Sequence, residues 1–252
     1  MKTNYLQLLT LLLFIFGIQS LHGQQKGTVT DIDGNVYQTV KIGDQWWMAE
    51  NLRVTRYRNG DAIPTNLRNT QWQNTTSGAY AIYPHIQIRG LYSEDEVVDT
   101  YGILYNWYAV VDPRGLCPEG WHVPSEEGWK QLEMHLGMTQ EEADRTAGRG
   151  ATGGGKLKST RTSIPACPHP RWRSPNTGAT NESGFSGLPG GRRRFPQYGG
   201  GHYVSVGERG LWWSSTEHST GSAWFRSLTY GHWYVYRFNG YKQDGLSVRC
   251  LR

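Results

Sequence analysis

Residues 124–137 read PSEEGWKQLEMHLG, and this stretch decides the fold class because it places a helix between two strand-rich ends of the chain. Ser125 is a natural N-cap, and the two acidic side chains after it sit at the positive end of the helix dipole. Three large apolar residues fall on one helix face: Trp129, Leu132 and Leu136. Gly137 is suited to end the helix in the left-handed conformation.

The flanking sequence predicts one more helix and strands from both chain ends. Thr139-Gln140-Glu141-Glu142 is a capping box that opens a second helix to about Thr146. Residues 27–51 predict a β-hairpin and a further strand, because Asp33-Gly34 is a two-residue turn signal between alternating segments. Strand-like alternation returns over residues 211–252. The predicted fold class is therefore α+β, with two helices, a small twisted antiparallel sheet and long irregular loops.

The composition indicates a folded domain whose core is built largely from aromatic rings. The chain has 252 residues, a formal net charge of +5, 32 Gly, 11 Trp, 15 Tyr and 6 Phe. Disordered chains are poor in such rings, each of which can bury roughly 150–250 Å². The mean hydropathy of −0.62 excludes a polytopic membrane protein, and collagen is excluded because no Gly-X-Y period occurs.

The amino terminus predicts export. Residues 1–23 form a secretory signal peptide, with Lys2 as the positive region and an apolar run over Leu8–Ile18 that is too short to span a membrane. The alternative is an uncleaved anchor. Residues 24–252 then form a single domain. In an oxidising compartment two of its three cysteines should pair and one should be left over.

Two ligand-loop motifs each lack a required residue. Asp31-Ile32-Asp33-Gly34-Asn35 resembles part of a calcium loop, but Val40 stands where the bidentate Glu belongs, so a turn is favoured. Gly150–Lys156 matches a P-loop pattern, but Leu157 replaces the magnesium-binding Ser or Thr. No cysteine pair has zinc-site spacing, so no metal and no cofactor are predicted.

Two further stretches are given structural interpretations. Arg192-Arg193-Arg194 is the only basic run, and a solvated loop is favoured over contact with an anionic surface. Cys167, followed closely by His169, has the residue types of a nucleophilic pair, but an unpaired, non-catalytic cysteine is favoured.

Aromatic residues concentrate near the carboxyl terminus. Tyr230, His232, Tyr234 and Tyr236 alternate with Trp233 and Val235, so at period two the four even-numbered side chains share one face of a strand. One interpretation is a sheet whose rings fill the core. The other is a recognition surface, because Tyr and Trp offer rigid amphipathic contact area at low entropic cost.

Several motifs resemble the Fibrobacter succinogenes major paralogous domain. They are Trp47–Leu52 (WMAENL), Tyr101–Trp107 (YGILYNW), Cys117–Pro124 (CPEGWHVP), Asn181–Ser186 (NESGFS), Trp213–Thr216 (WSST) and Gly245–Cys250 (GLSVRC). The resemblance covers nearly the whole mature chain. It implies a secreted or surface protein with no established activity, a C-type-lectin-like fold, and a disulfide between Cys117 and Cys250.

Comparison with related families disfavours two activities, calcium-dependent sugar binding and oxidation. The calcium-dependent sugar motifs of C-type lectins are absent, as are the paired active-site cysteines of formylglycine-generating enzymes. The family is similar as well to targets of diversity-generating retroelements, whose variable residues lie in the last strands. In this chain the residues suited to that role are Tyr230, His232, Tyr234, Tyr236, Asn239 and Tyr241.

The leading hypothesis is a secreted, non-catalytic binding domain that presents an aromatic C-terminal face to a glycan or a cell-surface protein. Trp121, Trp129 and Trp213 would hold the frame. The expected contacts are Trp224, Tyr230, His232, Tyr234, Tyr236, Asn239 and Tyr241. No nucleic acid and no membrane span after signal cleavage are expected.

Two other functions remain open. One is an enzyme acting on envelope polysaccharide or protein, which would use Asp95 and Glu96, or Glu217 with His218, as its carboxylate and base. The other is an inert structural or adhesive surface protein whose rings are all core.

Overall fold

The computed structural model describes residues 24–151, 153–162, 169–195 and 202–252. The predicted signal peptide, residues 1–23, and the left-over thiol, Cys167, lie outside the described residues.

An antiparallel sheet of three strands opens the domain. Strand β1 (Lys26–Thr30) pairs with β2 (Val36–Ile42), which pairs with β3 (Gln45–Met48). The predicted hairpin and third strand are therefore confirmed. The two-residue turn predicted at Asp33-Gly34 is wrong, because residues 31–35 form a five-residue loop in which the Gly34 N–H donates to the carbonyl of Asp31.

The turn between β1 and β2 is closed by the side chain of Asp31. Its Oδ1 accepts hydrogen bonds from the backbone N–H groups of Asp33 and Asn35, and its Oδ2 accepts one of 2.6 Å from the Tyr37 hydroxyl. The Asp33 carboxylate accepts in turn from Thr55 and Arg56. Both carboxylates of the calcium-like motif thus serve the turn.

The middle of the chain contains most of the helices. In chain order the elements are α1 (Asn69–Asn74), β4 (Tyr80–Ala81), a 3-10 turn (His85–Gln87), α2 (Glu94–Tyr101), β5 (Leu104–Tyr105), α3 (Trp107–Val110), α4 (Glu126–His135), α5 (Gln140–Asp144), β6 (Ala147–Arg149), α6 (Gly153–Leu157), β7 (Gly190–Arg193) and β8 (Tyr203–Val206). Strands β4 and β5 pair with each other, as do β7 and β8.

The two predicted helices are α4 and α5, and both are capped as expected. Ser125 accepts a hydrogen bond from the N–H of Gly128, and Thr139 forms the full capping box with Glu142. Helix α5 ends at Asp144, two residues earlier than predicted.

The predicted number of helices is wrong, because the described residues contain six α-helices. Of the four helices that sequence reasoning missed, α1, α3 and α6 have six residues or fewer. Helix α2 has eight residues and carries a local signal that was overlooked, because Ser93 accepts a hydrogen bond from the N–H of Glu96. Helix α6 depends on tertiary packing, since it contains three consecutive glycines and all three are buried. The coarse class, a mixed α/β domain of small antiparallel sheets, is confirmed.

The largest sheet is made from the end of the chain. Strands β9 (Arg209–Ser219), β10 (Ser222–Thr229) and β11 (Val235–Tyr241) are antiparallel, and β6 pairs on the outer edge of β11. In this register Ser227 lies opposite Tyr236. Residues directly opposite each other share a face of the sheet.

The last residues of the chain return to the first sheet. The N–H of Trp46 donates to the carbonyl of Arg252 (2.8 Å), and the N–H of Leu52 donates to the carbonyl of Val248 (2.9 Å). The two ends of the described domain are thereby joined by backbone hydrogen bonds.

The core is rich in rings, as the composition predicts. Six tryptophans are less than 2% exposed: Trp47, Trp72, Trp129, Trp172, Trp212 and Trp213. Trp121 is also buried, so all three predicted frame tryptophans lie inside. Buried Cys117 and Cys250 form the expected disulfide, with a Cα–Cα distance of 5.9 Å.

A chain of buried ion pairs fills the space between α4 and the C-terminal sheet. It runs Arg149–Glu133–Arg226–Glu126–Arg237, with successive N–O distances of 2.5, 2.6, 2.5 and 2.5 Å. Burial opposes ionisation of Glu126, but the guanidinium groups of Arg226 and Arg237 bring the pKa of its carboxyl below the ordinary value.

The basic run is not the solvated loop that was predicted. Arg192 and Arg193 lie in β7, and Arg193 is buried with its guanidinium 4.2 Å from the centre of the Trp72 ring. Its Nη2 donates to the carbonyl of Leu67 and to Asn69. Stacking and these hydrogen bonds replace part of the water that a solvated arginine would bind, and Arg193 Nε has no hydrogen-bond partner among the described residues. Among the described residues, no helix is long and apolar enough to cross a membrane.

Candidate functional site

A cleft of about 470 Å³ opens at one end of the C-terminal sheet. It is bounded by the start of β9, the end of β10, the connection that follows β10, and β11. Aromatic rings form the walls of the cleft, two hydroxyl groups lie at its floor, and charged side chains lie at its rim.

The ring walls come from one face of β11 and from the segment before it. Tyr236 and Phe238 are two residues apart on β11, so their rings lie side by side with centres 5.7 Å apart. The His232 ring lies 6.2 Å from that of Tyr236 and stacks at 5.9 Å on Tyr234, which stands beside the cleft. Tyr230 completes the lining rings. Burial raises the pKa of the Tyr236 hydroxyl, which therefore stays protonated as a hydrogen-bond donor.

The floor of the cleft carries two hydroxyl groups with no partner. Ser227 Oγ and Thr229 Oγ1 are both buried, and neither makes a hydrogen bond within the part of the chain that the structure describes. The two residues are adjacent on the same face of β10, and Ser227 lies opposite Tyr236. Buried polar atoms are nearly always hydrogen-bonded, so two neighbouring exceptions in one cleft call for a ligand or for water.

The rim carries charge. The Glu208 carboxylate forms an ion pair of 2.6 Å with Arg173, whose guanidinium lies 5.4 Å from the centre of the Tyr230 ring. Arg209 lies opposite Thr229 in the sheet and is exposed. Among the described residues its guanidinium has no ion pair.

Lys158 fixes the wall of the cleft from the interior. Its side chain is fully buried, and its ammonium group donates to the carbonyls of Thr177 (2.7 Å), His232 (2.9 Å) and Thr229 (3.0 Å). Two of these carbonyls belong to residues that line the cleft. Burial lowers the pKa of Lys158 to about 8.

The glycine-rich stretch supports the same wall. A Cβ on Gly154 would lie 2.3 Å from the carbonyl oxygen of Tyr234, and one on Gly155 would lie 2.0 Å from that of Gly178. Helix α6 therefore has glycines because backbone packs directly on backbone there. Lys156 donates to the carbonyl of Leu136. The P-loop-like pattern is explained by this packing.

The structure separates the predicted contact residues into groups. Tyr230, His232 and Tyr236 line the cleft, and Tyr234 stands next to them. The four do not share one strand face, because β11 begins only at Val235 and Tyr230 lies just after β10.

The other predicted contacts lie elsewhere on the sheet. Trp224 and Asn239 are directly opposite each other on the reverse face, where Arg237 covers the Trp224 ring at 3.8 Å. Tyr241 is at the far end of β11, with its ring 4.7 Å from that of Phe195.

Sequence reasoning missed four residues that matter to the cleft. Phe238 was within reach, because it continues the even-numbered series from Tyr236 along the strand. Ser227, Thr229 and Lys158 had no sequence signal, since only the pairing register and the tertiary packing bring them to this place.

None of the described residues that were considered for catalysis lines the cleft. Asp95 and Glu96 are exposed in the first turn of α2. Glu217 forms an ion pair of 2.8 Å with Lys242, and the His218 ring packs against Trp224. The described residues also contain no group of three His, Cys, Asp or Glu side chains that could hold a metal ion.

Comparison with known proteins identifies a family. The family model described as the Fibrobacter succinogenes major domain matches residues 40–252. No curated protein and no solved structure matches the chain.

Proposed function

Because this chain belongs to the Fibrobacter succinogenes major domain family, for which the match supplies no activity, we propose its function from the cleft: a secreted, non-catalytic domain that binds a saccharide. The ligand lies against the rings of Tyr236, Phe238 and His232 and reaches the floor of the cleft.

The observation that carries the proposal is the pair of unpartnered hydroxyl groups at the floor. A hydroxyl group both donates and accepts a hydrogen bond, and so does each hydroxyl of a sugar. Ser227 Oγ and Thr229 Oγ1 therefore complement a polyhydroxylated ligand in either direction of donation. An apolar ligand would leave both groups unsatisfied.

The rings supply the other half of sugar recognition. The flat apolar face of a pyranose packs on an aromatic ring, while its edge of hydroxyl groups needs polar partners. Tyr236 and Phe238 present neighbouring, nearly parallel rings, with an interplanar angle of 18°, at the wall of the cleft. The cleft volume of about 470 Å³ is within the usual range of small-ligand sites.

Two further features of the proposal concern location and fold. The buried Cys117–Cys250 disulfide supports export, because such bonds persist in oxidising compartments, and we assign the protein to the periplasm, the outer surface or the medium. The joined chain ends, together with a ligand cleft beside the C-terminal strands, support a C-type-lectin-like arrangement.

A glycan array with the purified protein, run with and without EDTA, tests the proposal. We expect binding to one saccharide class that persists in EDTA. Tyr236→Ala should weaken that binding about tenfold, as the loss of a central aromatic anchor does. Tyr241→Ala is the matched control, because it removes a partly exposed tyrosine from the same strand, away from the cleft.

Each other outcome contradicts a specific part of the proposal. Binding that is lost in EDTA would show a metal-dependent site. Equal losses in the two variants would place the ligand elsewhere. Silence across the array, with capture of a protein ligand that Tyr236→Ala abolishes, would keep the cleft and replace the saccharide.

A further inference from the structure

A second cavity of about 250 Å³ adjoins the ring-walled cleft and shares Glu208 with it. Hydrogen bonds between side chains and backbone hold its wall in place. The buried Tyr101 hydroxyl bonds to His169 Nδ1 at 2.8 Å, and His169 Nε2 is 2.9 Å from the carbonyl of Arg89.

The two cavities together are strongly cationic. Arg89, Arg171 and Arg173 line the second cavity, and Arg209 lines the first. Glu208 is the only carboxylate among the described residues that line either one. Its charge is already matched by Arg173 at 2.6 Å.

Arg173 stands at the junction of the two cavities. It lines the second cavity, pairs with the shared Glu208, and holds its guanidinium 5.4 Å from the Tyr230 ring of the first. A linear ligand that extends along the rings past Tyr230 therefore meets Arg173, which lines the second cavity.

We infer that the ligand is an acidic oligosaccharide, with carboxylate or sulfate groups, that extends from the ring-walled cleft into the adjoining arginine-lined cavity. The inference rests on the proposed function and adds the charge and the direction of the ligand. Guanidinium groups bind carboxylates and sulfates through charge-assisted, often bidentate hydrogen bonds. A neutral glycan would place no negative charge opposite Arg209 and Arg89.

Calorimetric titration with matched ligands tests the inference. The probes are an oligogalacturonate and its full methyl ester, which share a backbone and differ in charge. A sulfated galactan oligosaccharide and its desulfated counterpart form the second pair. We expect one acidic member to bind at least tenfold more tightly than its neutral counterpart, and the two pairs distinguish carboxylate from sulfate.

Single substitutions test which arginines bind the acidic groups of the ligand. Arg209→Gln and Arg89→Gln should each weaken binding of the acidic ligand about tenfold and leave the neutral ligand unchanged. Lys41→Gln is the control, because it removes one positive charge from β2 in the N-terminal sheet. Added salt should lower the affinity for the acidic ligand much more than that for the neutral one.

The outcomes separate this inference from the function on which it rests. Neutral and acidic members that bind equally, with Tyr236→Ala still weakening both, would overturn the inference and keep the saccharide function. Binding of neither pair would overturn the inference, and the glycan array with Tyr236→Ala would then decide separately whether the saccharide function stands. If poly-glutamate binds as tightly as the acidic oligosaccharide, the cavities bind any anionic polymer, and the inference is also overturned.

Discussion

Arg249 Nε donates a hydrogen bond of 3.0 Å to Asn51 Oδ1 and so joins two residues that are 198 positions apart in the chain. Asn51 Oδ1 also accepts from Trp212 Nε1 at 2.8 Å, and the Arg249 Nη2 donates to the carbonyl of Ser186 at 2.9 Å. Both Asn51 and Arg249 are buried.

This contact explains what several family motifs do. Asn51 belongs to Trp47–Leu52, Ser186 to Asn181–Ser186, and Arg249 to Gly245–Cys250, so three separate motifs meet at one buried polar junction. The motifs that identify the family therefore build the frame, whereas the ring-walled cleft lies outside them.

The first prediction concerns that junction. Asn51→Ala would leave Trp212 Nε1 and the Arg249 Nε without an acceptor in the interior. We expect the free energy of unfolding to fall by about 3 kcal/mol or more, because each unsatisfied buried donor costs about 1–3 kcal/mol. Urea denaturation measures the change. Exposed Asn59→Ala is the control, with a loss of about 1 kcal/mol or less, and equal effects of the two substitutions would contradict the role of the junction.

A second prediction concerns the ion-pair chain between α4 and the sheet. Glu133→Gln would remove the charge that Arg149 and Arg226 share, and both guanidinium groups are almost fully buried. We expect a loss of about 3–5 kcal/mol in unfolding free energy, which is the usual cost of breaking a buried pair. Glu127→Gln on the same helix removes an exposed partner of Lys130 and should cost under about 1 kcal/mol.

The sequence predicts those elements of the fold whose signals lie within a few residues of each other. The Ser125 cap and the capping box at Thr139 rest on contacts within a few residues, and both are present. The hairpin signal at Asp33-Gly34 is confirmed in place but not in turn length, since the loop spans residues 31–35. Helix α6 could not be predicted, because its glycines are explained by the backbones of Gly178 and Tyr234, which pack on it from later in the chain.

The cleft shows the same limit. Ring composition pointed to β11, whose Tyr236 lines the cleft. Period two alone could not show that β11 starts at Val235, nor that Trp224 would lie on the reverse face. The unpartnered hydroxyls of Ser227 and Thr229 depend on the β10–β11 register, which no local signal specifies.

A third prediction uses the buried ammonium group of Lys158. Its pKa is lowered from 10.5 to about 8 in the folded protein, so between these values the unfolded chain binds more protons than the native one. Stability linked to this group therefore rises as the pH rises from about 8 toward 10.5, by at most about 1.4 kcal/mol per pH unit.

The measurement is the difference in unfolding free energy between the unmodified protein and Lys158→Met, followed by urea denaturation across that pH window. The difference should shift in favour of the unmodified protein as the pH increases. Lys156→Met is the matched control, because it removes a partly exposed lysine from α6, two residues away. A flat difference for Lys158→Met would mean that the three carbonyl acceptors hold the ammonium charged throughout the window.

The last prediction separates a binding role of the cleft floor from a structural one. Thr229→Val keeps the shape of the side chain and removes a buried hydroxyl group that has no partner in the described structure. Removal of such a group should raise the unfolding free energy by about 1 kcal/mol, because its desolvation is no longer required. The same change should weaken saccharide binding about tenfold, since the ligand loses its partner.

Thr216→Val in β9 is the control. Thr216 Oγ1 accepts a hydrogen bond from the N–H of Glu126 at 3.0 Å, so loss of this hydroxyl group should destabilise the fold without changing the affinity for the saccharide. Opposite signs for stability and affinity at Thr229 are expected only if the floor is kept for a ligand; a loss of stability at Thr229 would instead show that its hydroxyl already has a partner in the folded protein.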